Sequence, residues 1–272
     1  MSVNGKLIVC PTPIGNLEDI TLRVLAALRA ADVVACEDTR RTRVLLERYG
    51  VRARLVSYHE HNEKGRSAEL VKRMHAGETV ALVSDAGMPL VSDPGFVLVR
   101  ACVSAGLEVE VLPGPSAALA ALVASALPAD RWRFAGFLPR KRGDLEEAFS
   151  TTETLVAFES PRRVADSLAV LAALDPERQV AVCRELTKLH EEVVRGSAAE
   201  LAARYVDAAP KGEVVLVVGP ATATASVDLA PALDAVQRLV ESGAKPRVAA
   251  GVVAELTGAG ANELYRALTD SR

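Results

Sequence analysis

The sequence predicts two α/β domains, the first on a parallel sheet and the second on a mixed one, followed by a small helical domain. Three observations predict it. Short β-branched runs alternate with amphipathic stretches over the first 112 residues. The spacing of these runs changes after Pro113-Gly114-Pro115, and a small, polar segment, ATATASVDLAP, precedes three short helical patterns. Strands that alternate with helices pair in parallel and are covered on both faces. The expected layout is residues 1–113 for the first domain, 114–220 for the second, 221–231 for a linker and 232–272 for a helix-turn-helix-like tail.

Each element has its own reason. Residues 7–10 are an unbroken apolar run, as a strand buried on both faces requires. Ile20, Val24 and Leu28 then recur at helical spacing, with Glu18 and Asp19 acidic in the first turn. Residues 32–36 read as the second strand, and 42–49 as a helix closed by Gly50. Further strands are expected at 55–58, 80–83 and 109–112, with helices near 67–75 and 96–104 between them. Beyond the break, Ser116 opens an Ala/Leu-rich helix that Leu127-Pro128 ends. Strands follow at 134–137, 155–158, 180–183 and 214–218, with helices at 144–149, 164–174 and 198–205. Some of these links are short enough for hairpins, hence the mixed sheet. In the tail, helical patterns cover 232–242, 246–256 and 262–268, and a Gly-containing turn joins the last two.

Composition narrows the function classes. Half of the 272 residues are hydrophobic and a quarter charged, which excludes disorder. No apolar run reaches the roughly 18 residues of a membrane span, and the first residues do not read as a secretory signal. Cys10, Cys36, Cys102 and Cys183 form no CxxC pair, so core thiols in a reducing, cytoplasmic setting are expected. A net charge of −3 gives no global pull toward nucleic acid. Neither GxGxxG nor GxxxxGK[ST] occurs, which disfavours a nicotinamide dehydrogenase or a P-loop NTPase.

Three loops at predicted strand ends are rich in Gly, Pro and Asp: PTPIGNLED, SDAGMPLVSDPG and PGPSAA. Ligands of open α/β sheets sit at such strand ends. Gly15, Gly87, Gly95 and Gly114 let backbone approach a ligand, and Ser116 at a helix start leaves N–H groups free for an anion. A second constellation is basic. Arg40, Arg41, Arg43, Arg48, Arg52 and Arg54 crowd together, and Arg140, Lys141 and Arg142 follow Trp132, Phe134 and Phe137; Arg162 and Arg163 come later. Such clusters hold phosphates, and an aromatic among them stacks an unpaired base. His59 and His61 flank Glu60 without a third or fourth ligand nearby, so no metal is expected.

In order along the chain, TPIGNLEDIT, ACEDTRRT, SYHEHNE, SDAGMPLVSDPG, VLPGPSA, GFLPRK, FESPRR, CRELTKLHEE and KGEVVLVV resemble a bacterial family of ribosomal RNA ribose-2′-O-methyltransferases. These modify a cytidine in the decoding region of 16S rRNA on the tetrapyrrole-methylase fold. The resemblance covers residues 6 to about 219 and implies S-adenosyl-L-methionine as cofactor, the small ribosomal subunit as partner and a homodimer. It implies Thr12, Pro13 and Gly15 as the floor under the cofactor, and Asp85, Ala86, Gly87 and Met88 beside its ribose and methionine parts. Ser116, Ala117 and Glu159 would contact it from the second domain, and Met88 departs from the Thr the family leads one to expect. Asp85 is the carboxylate expected to face the ligand, with Asp93 next. Arg40, Arg41, Arg43, Arg140, Lys141, Arg142, Arg162 and Arg163 are the expected RNA contacts. For proton transfer the sequence offers Glu37, Asp38 and Arg40, or Lys188 with Glu191, without choosing among them. A tetrapyrrole C-methyltransferase would lack the basic segments and helical tail. A non-catalytic ribosome-binding factor would not explain three ligand-type loops together.

Overall fold

The structure, a computed structural model, describes residues 5–221, 229–257 and 259–270. Residues Met1–Pro220 form one compact unit and Ala221–Arg272 a second. The first unit opens with β1 (Lys6–Val9), α1 (Leu22–Ala30), β2 (Val33–Cys36), α2 (Thr39–Arg48), β3 (Leu55–Ser57), α3 (Glu63–His75), β4 (Val80–Val83), α4 (Phe96–Ser104) and β5 (Glu108–Val111). The five strands make an all-parallel sheet in the order β3-β2-β4-β1-β5.

The alternation of side chains along each strand explains why this sheet needs helices on both faces. Ile8, Val34, Ala81 and Val83 pack with Val24, Leu28, Leu45 and Leu46 of α1 and α2. Leu7, Val9, Val33, Ala35, Val80 and Leu82 pack with Leu70, Met74, Leu98 and Cys102 of α3 and α4.

The chain continues through α5 (Ala117–Ser125), β6 (Trp132–Phe137), α6 (Arg142–Phe149), β7 (Thr154–Glu159), α7 (Val164–Leu174), β8 (Gln179–Arg184), β9 (Glu192–Ser197), α8 (Ala198–Tyr205) and β10 (Val214–Val218). The second sheet runs β6-β7-β10-β8-β9, with β6 parallel to β7 and every other pairing antiparallel. Strand β9 is an addition to the sequence expectation. Its residues EVVRGS form a half-exposed edge strand, so they lack the apolar run that marks a central one. One face of this sheet is covered by α6, α7 and α8 through Phe149, Leu168, Leu171, Leu201 and Tyr205. On the other face, Val156, Ala181, Cys183, Val215 and Val217 meet Ala121 and Leu122 of α5 and Ile14 from the loop after β1. Among the described residues that face carries a single helix, α5, and the remainder is available to form a cleft.

Buried Arg178 ties together one end of the sheet, where β8 and β7 start and β10 finishes. Its guanidinium donates to the carbonyls of Gly219 at 2.6 Å, Phe149 at 2.9 Å and Thr151 at 3.0 Å. Burial pushes its pKa below the usual arginine range.

The second unit holds α9 (Leu229–Glu241), α10 (Pro246–Thr257) and α11 (Ala261–Asp270). They share a core of Ala232, Val236, Ala249, Ala250, Val253, Leu264 and Leu268. The expected linker at 221–231 is shortened by the start of α9 at Leu229, and residues 222–228, Gly258 and 271–272 lie outside the described residues.

Candidate methyl-transfer cleft

A cleft of about 290 Å³ opens in the first unit between the loops at the ends of β1 and β4 and the thinly covered face of the second sheet. One wall is Ile14 with Ala86, Gly87, Met88, Val91, Ser92 and Asp93. The other is Phe158, Glu159, Cys183, Val214 and Val215, and the start of α5, Ser116 and Ala117, closes one side. Phe137 stands in the lining yet is 63% exposed. Its ring meets Phe158 edge to face at 5.6 Å, as does Phe134 at 5.0 Å.

The predicted loops meet as expected, but with a division of labour. Thr12 and Gly87 exchange two backbone hydrogen bonds of 2.9 Å, and the Thr12 hydroxyl donates to the Ser84 carbonyl at 3.1 Å. Thr12, Pro13, Gly15 and Asp85 do not line the cleft; Ala86, Gly87, Met88, Ser116, Ala117 and Glu159 do. At Gly15 the direction a side chain would take points at the 185–191 loop. A Cβ there would lie 2.5 Å from Lys188 Cγ and 2.7 Å from Thr187 Oγ1, so this glycine admits the 185–191 loop. The Asn16 N–H donates to Thr187 Oγ1 at 3.0 Å across the same contact. Gly87 holds φ +79°, where L side chains are strained, and its missing Cβ would sit 3.3 Å from Ile14 Cγ2.

Asp85 turns to its own neighbours. Its Oδ1 accepts the Asp38 N–H at 3.0 Å, and Oδ2 lies 3.5 Å from Arg41. Asp38 caps α2 and chelates Arg40, which holds its carboxyl well below the usual range. Lys188 bridges Glu185 and Glu213 at 2.9 Å each, and Glu191 accepts the Thr187 N–H at 2.6 Å. Four of the five residues offered for proton transfer are therefore engaged locally. Glu37, the fifth, has its pKa raised, first by burial and then by Asp85. The carboxylate of Glu159 is enclosed: Oε1 accepts the Ser160 N–H at 2.7 Å, Oε2 the Ser167 hydroxyl at 2.6 Å, and Arg163 lies 3.3 Å away.

In the loop after β4, Asp93 is the carboxylate that lines the cleft, and burial pushes it up to about 6, aided by Glu37. The resemblance puts Asp85 first and Asp93 second as the carboxylate facing the ligand, whereas the cleft lining holds Asp93 and not Asp85. Cys183, also in the lining, is pushed up to about 11 by burial and stays a thiol at neutral pH. The His59 and His61 rings meet edge to face at 6.0 Å. Among the described residues no group of three His, Cys, Asp or Glu is placed to hold a metal ion.

Among the expected RNA contacts, Arg163 is committed to the fold, donating to the Leu138 and Pro139 carbonyls. Arg142 pairs with Glu146 at 2.8 Å. Arg43, Arg140, Lys141 and Arg162 are exposed and join no ion pair among the described residues.

This architecture defines a class. Residues 6–202 match the model of the tetrapyrrole (corrin/porphyrin) methylases, and the chain belongs to that family. A solved structure of uroporphyrin-III C-methyltransferase from Thermus thermophilus, complexed with S-adenosyl homocysteine, shares the fold at TM-score 0.56 and 22% identity, over 79% of this chain and 97% of that one. Within the family, the chain is 49% identical to the ribosomal RNA small subunit methyltransferase I of Mesorhizobium japonicum, over 97% of this chain and 91% of the relative. It is 40% identical to the protein of the same name from Streptococcus pyogenes serotype M1, over 98% and 96%. At that similarity the chain groups with the ribosomal RNA small subunit methyltransferases I rather than with the tetrapyrrole C-methyltransferases.

Proposed function

We propose that this protein transfers a methyl group from S-adenosyl-L-methionine to the ribose 2′-oxygen of a cytidine in the decoding region of 16S rRNA. One observation carries the reading: cations that join no ion pair among the described residues continue directly from the cleft lining of a methylase fold. Arg162 follows Pro161, and Arg140 and Lys141 begin three residues after Phe137. A tetrapyrrole, itself rich in carboxylates, needs far fewer cations than a folded RNA.

The cleft suits the donor, which supplies a methyl group on a positively charged sulfur. Ser116 caps α5 by accepting the Leu119 N–H, so the positive end of a nine-residue helix faces the lining, as an amino-acid carboxylate requires. Ala86, Gly87 and Met88 with Val214 and Val215 offer apolar walls for the nucleoside. Thr12, Pro13, Gly15 and Asp85 act in this reading as supports behind the loops, and Glu159 fixes the end of β7. We assign residues 1–113 to the donor loops and 114–220 to the opposing wall, with 232–272 as a further RNA-binding element. The reading includes a second copy of the chain. Leu119 and Val123, one helical turn apart on α5, are 51% and 80% exposed, apolar surface that a partner would cover. Its place is the cytoplasm, where the small subunit is assembled; among the described residues no helix is long and apolar enough to cross a membrane.

The test is mass spectrometry of digested 16S rRNA after small subunits lacking the mark are incubated with protein and donor. One added ribose methyl on a cytidine is the expected result. Methylation of a base, or of a tetrapyrrole in preference to RNA, would refute it. Replacing Arg140 and Lys141 by Ala should slow transfer at physiological salt and flatten the salt dependence of subunit binding by a slope of roughly 0.7 to 0.9 per lost contact. Donor affinity should hold in that variant; an unchanged salt slope would remove these residues from the RNA path.

A further inference from the structure

We propose that Asp93 is the catalytic base that takes the proton from the acceptor hydroxyl, an assignment that rests on the methyl-transfer reading of the cleft. Among the described residues three carboxylates line that cleft: Asp93, Glu159 and Glu213. Glu159 is enclosed by Ser160, Ser167 and Arg163, and Glu213 is held by Lys188 at 2.9 Å. Asp93 joins no ion pair among the described residues, and its polar neighbour is the Ser84 side chain. The groups that face it are Glu37 at the end of β2 and Asp85 in its own loop, both of its own sign. The nearby basic side chains turn elsewhere: Arg41 and the His59 ring face Glu37, and Arg41 also faces Asp85.

A ribose hydroxyl is a weak nucleophile, and a carboxylate of ordinary strength removes its proton poorly. Burial and the two like charges make Asp93 a stronger base, with a value of about 6, yet leave it ionised at neutral pH. As the hydroxyl oxygen bonds to the methyl carbon, the O–H bond breaks and its proton passes to an Asp93 oxygen. The carbon–sulfur bond breaks with its electron pair remaining on sulfur, so the sulfonium charge and the carboxylate charge disappear together. The Asp93 carboxyl returns its proton to water once product leaves. Glu37 touches no reacting atom in this scheme; it is a positioning residue that sets the strength of the base.

The experiment compares the parent with Asp93→Asn and Glu37→Gln in single-turnover methyl transfer to small subunits across a pH series. Donor affinity is measured by calorimetry, and the Asp93 carboxyl is titrated by carbon-detected NMR. Asp93→Asn is expected to slow transfer by about 100-fold or more with donor affinity within about twofold. The parent rate should fall about tenfold per pH unit below the NMR midpoint, and that limb should vanish in Asp93→Asn. Glu37→Gln removes a like charge, so limb and midpoint should move together to lower pH. Parental rates in Asp93→Asn, or a limb that ignores Glu37→Gln, would overturn the assignment while RNA methylation itself stood. Should Asp93→Asn fail to fold, the matched shift in Glu37→Gln decides by itself. A parent that labels no RNA overturns the functional reading and this assignment with it.

Discussion

Arg178→Ala is expected to lower the melting temperature by about 10 °C. Three backbone carbonyls, of Gly219, Phe149 and Thr151, would lose their donor at once. Leaving buried acceptors unpaired costs about 1–3 kcal/mol per group before relaxation, and water entering the gap recovers part of it. A net loss of about 3–4 kcal/mol translates to the stated shift for a unit of this size. Lysine should rescue little, because one ammonium on a flexible stem cannot reproduce the planar fork that reaches three carbonyls. Thermal unfolding followed by circular dichroism checks this; a shift of less than about 3 °C in Arg178→Ala would mean the carbonyls find other donors.

Gly87→Val and Gly15→Val should fail in opposite ways. Gly87 sits in the cleft wall at φ +79°, so valine there costs about 1–2 kcal/mol of backbone strain and pushes a branched side chain against Ile14. Donor affinity should drop at least about tenfold, or 1.4 kcal/mol. Gly15 lies outside the lining but against Thr187, Lys188 and the Leu186 carbonyl, the last 3.0 Å from where a Cβ would sit. Valine at Gly15 would separate the 185–191 loop from the loop after β1, and overpacking of that kind costs about 1–3 kcal/mol. Stability should therefore suffer more than affinity at Gly15, and affinity more than stability at Gly87. Calorimetry and melting on the same samples decide, and an identical ratio of the two losses in both variants would show that the glycines share one role.

The first sheet was legible because β1, β2 and β4 are buried on both faces and so carry unbroken apolar runs. Their parallel order followed from the helices between them. Strand β9 escaped because an edge strand needs only one apolar side; Glu192 and Arg195 in it look like loop residues. At the cleft, the loops were legible through Gly and Pro, whose backbone constraints are local. Which glycine lines the cleft was not, because that depends on a contact 171 residues away between Asn16 and Thr187. The same limit explains Asp85 and Asp93. Both stand in one loop, but the partner that draws Asp85 aside, Arg41, comes from α2. Charge clusters were visible as composition, whereas the commitment of Arg163 to the Leu138 and Pro139 carbonyls required the folded chain.

The position of β10 has a kinetic consequence. It is the last strand of its sheet in sequence but occupies the middle, between β7 and β8. During synthesis the first sheet has all five strands once Val111 has emerged, so it is free to fold early. The second sheet has an open slot between β7 and β8 until Val218 appears, leaving two unpaired edges side by side. Insertion of a central strand that follows β8 only after β9 and α8 closes a long loop, which is slow, and those edges are open to pairing with other chains meanwhile. Refolding of this protein should therefore show an early phase for the parallel half and a late, concentration-sensitive phase for the mixed one.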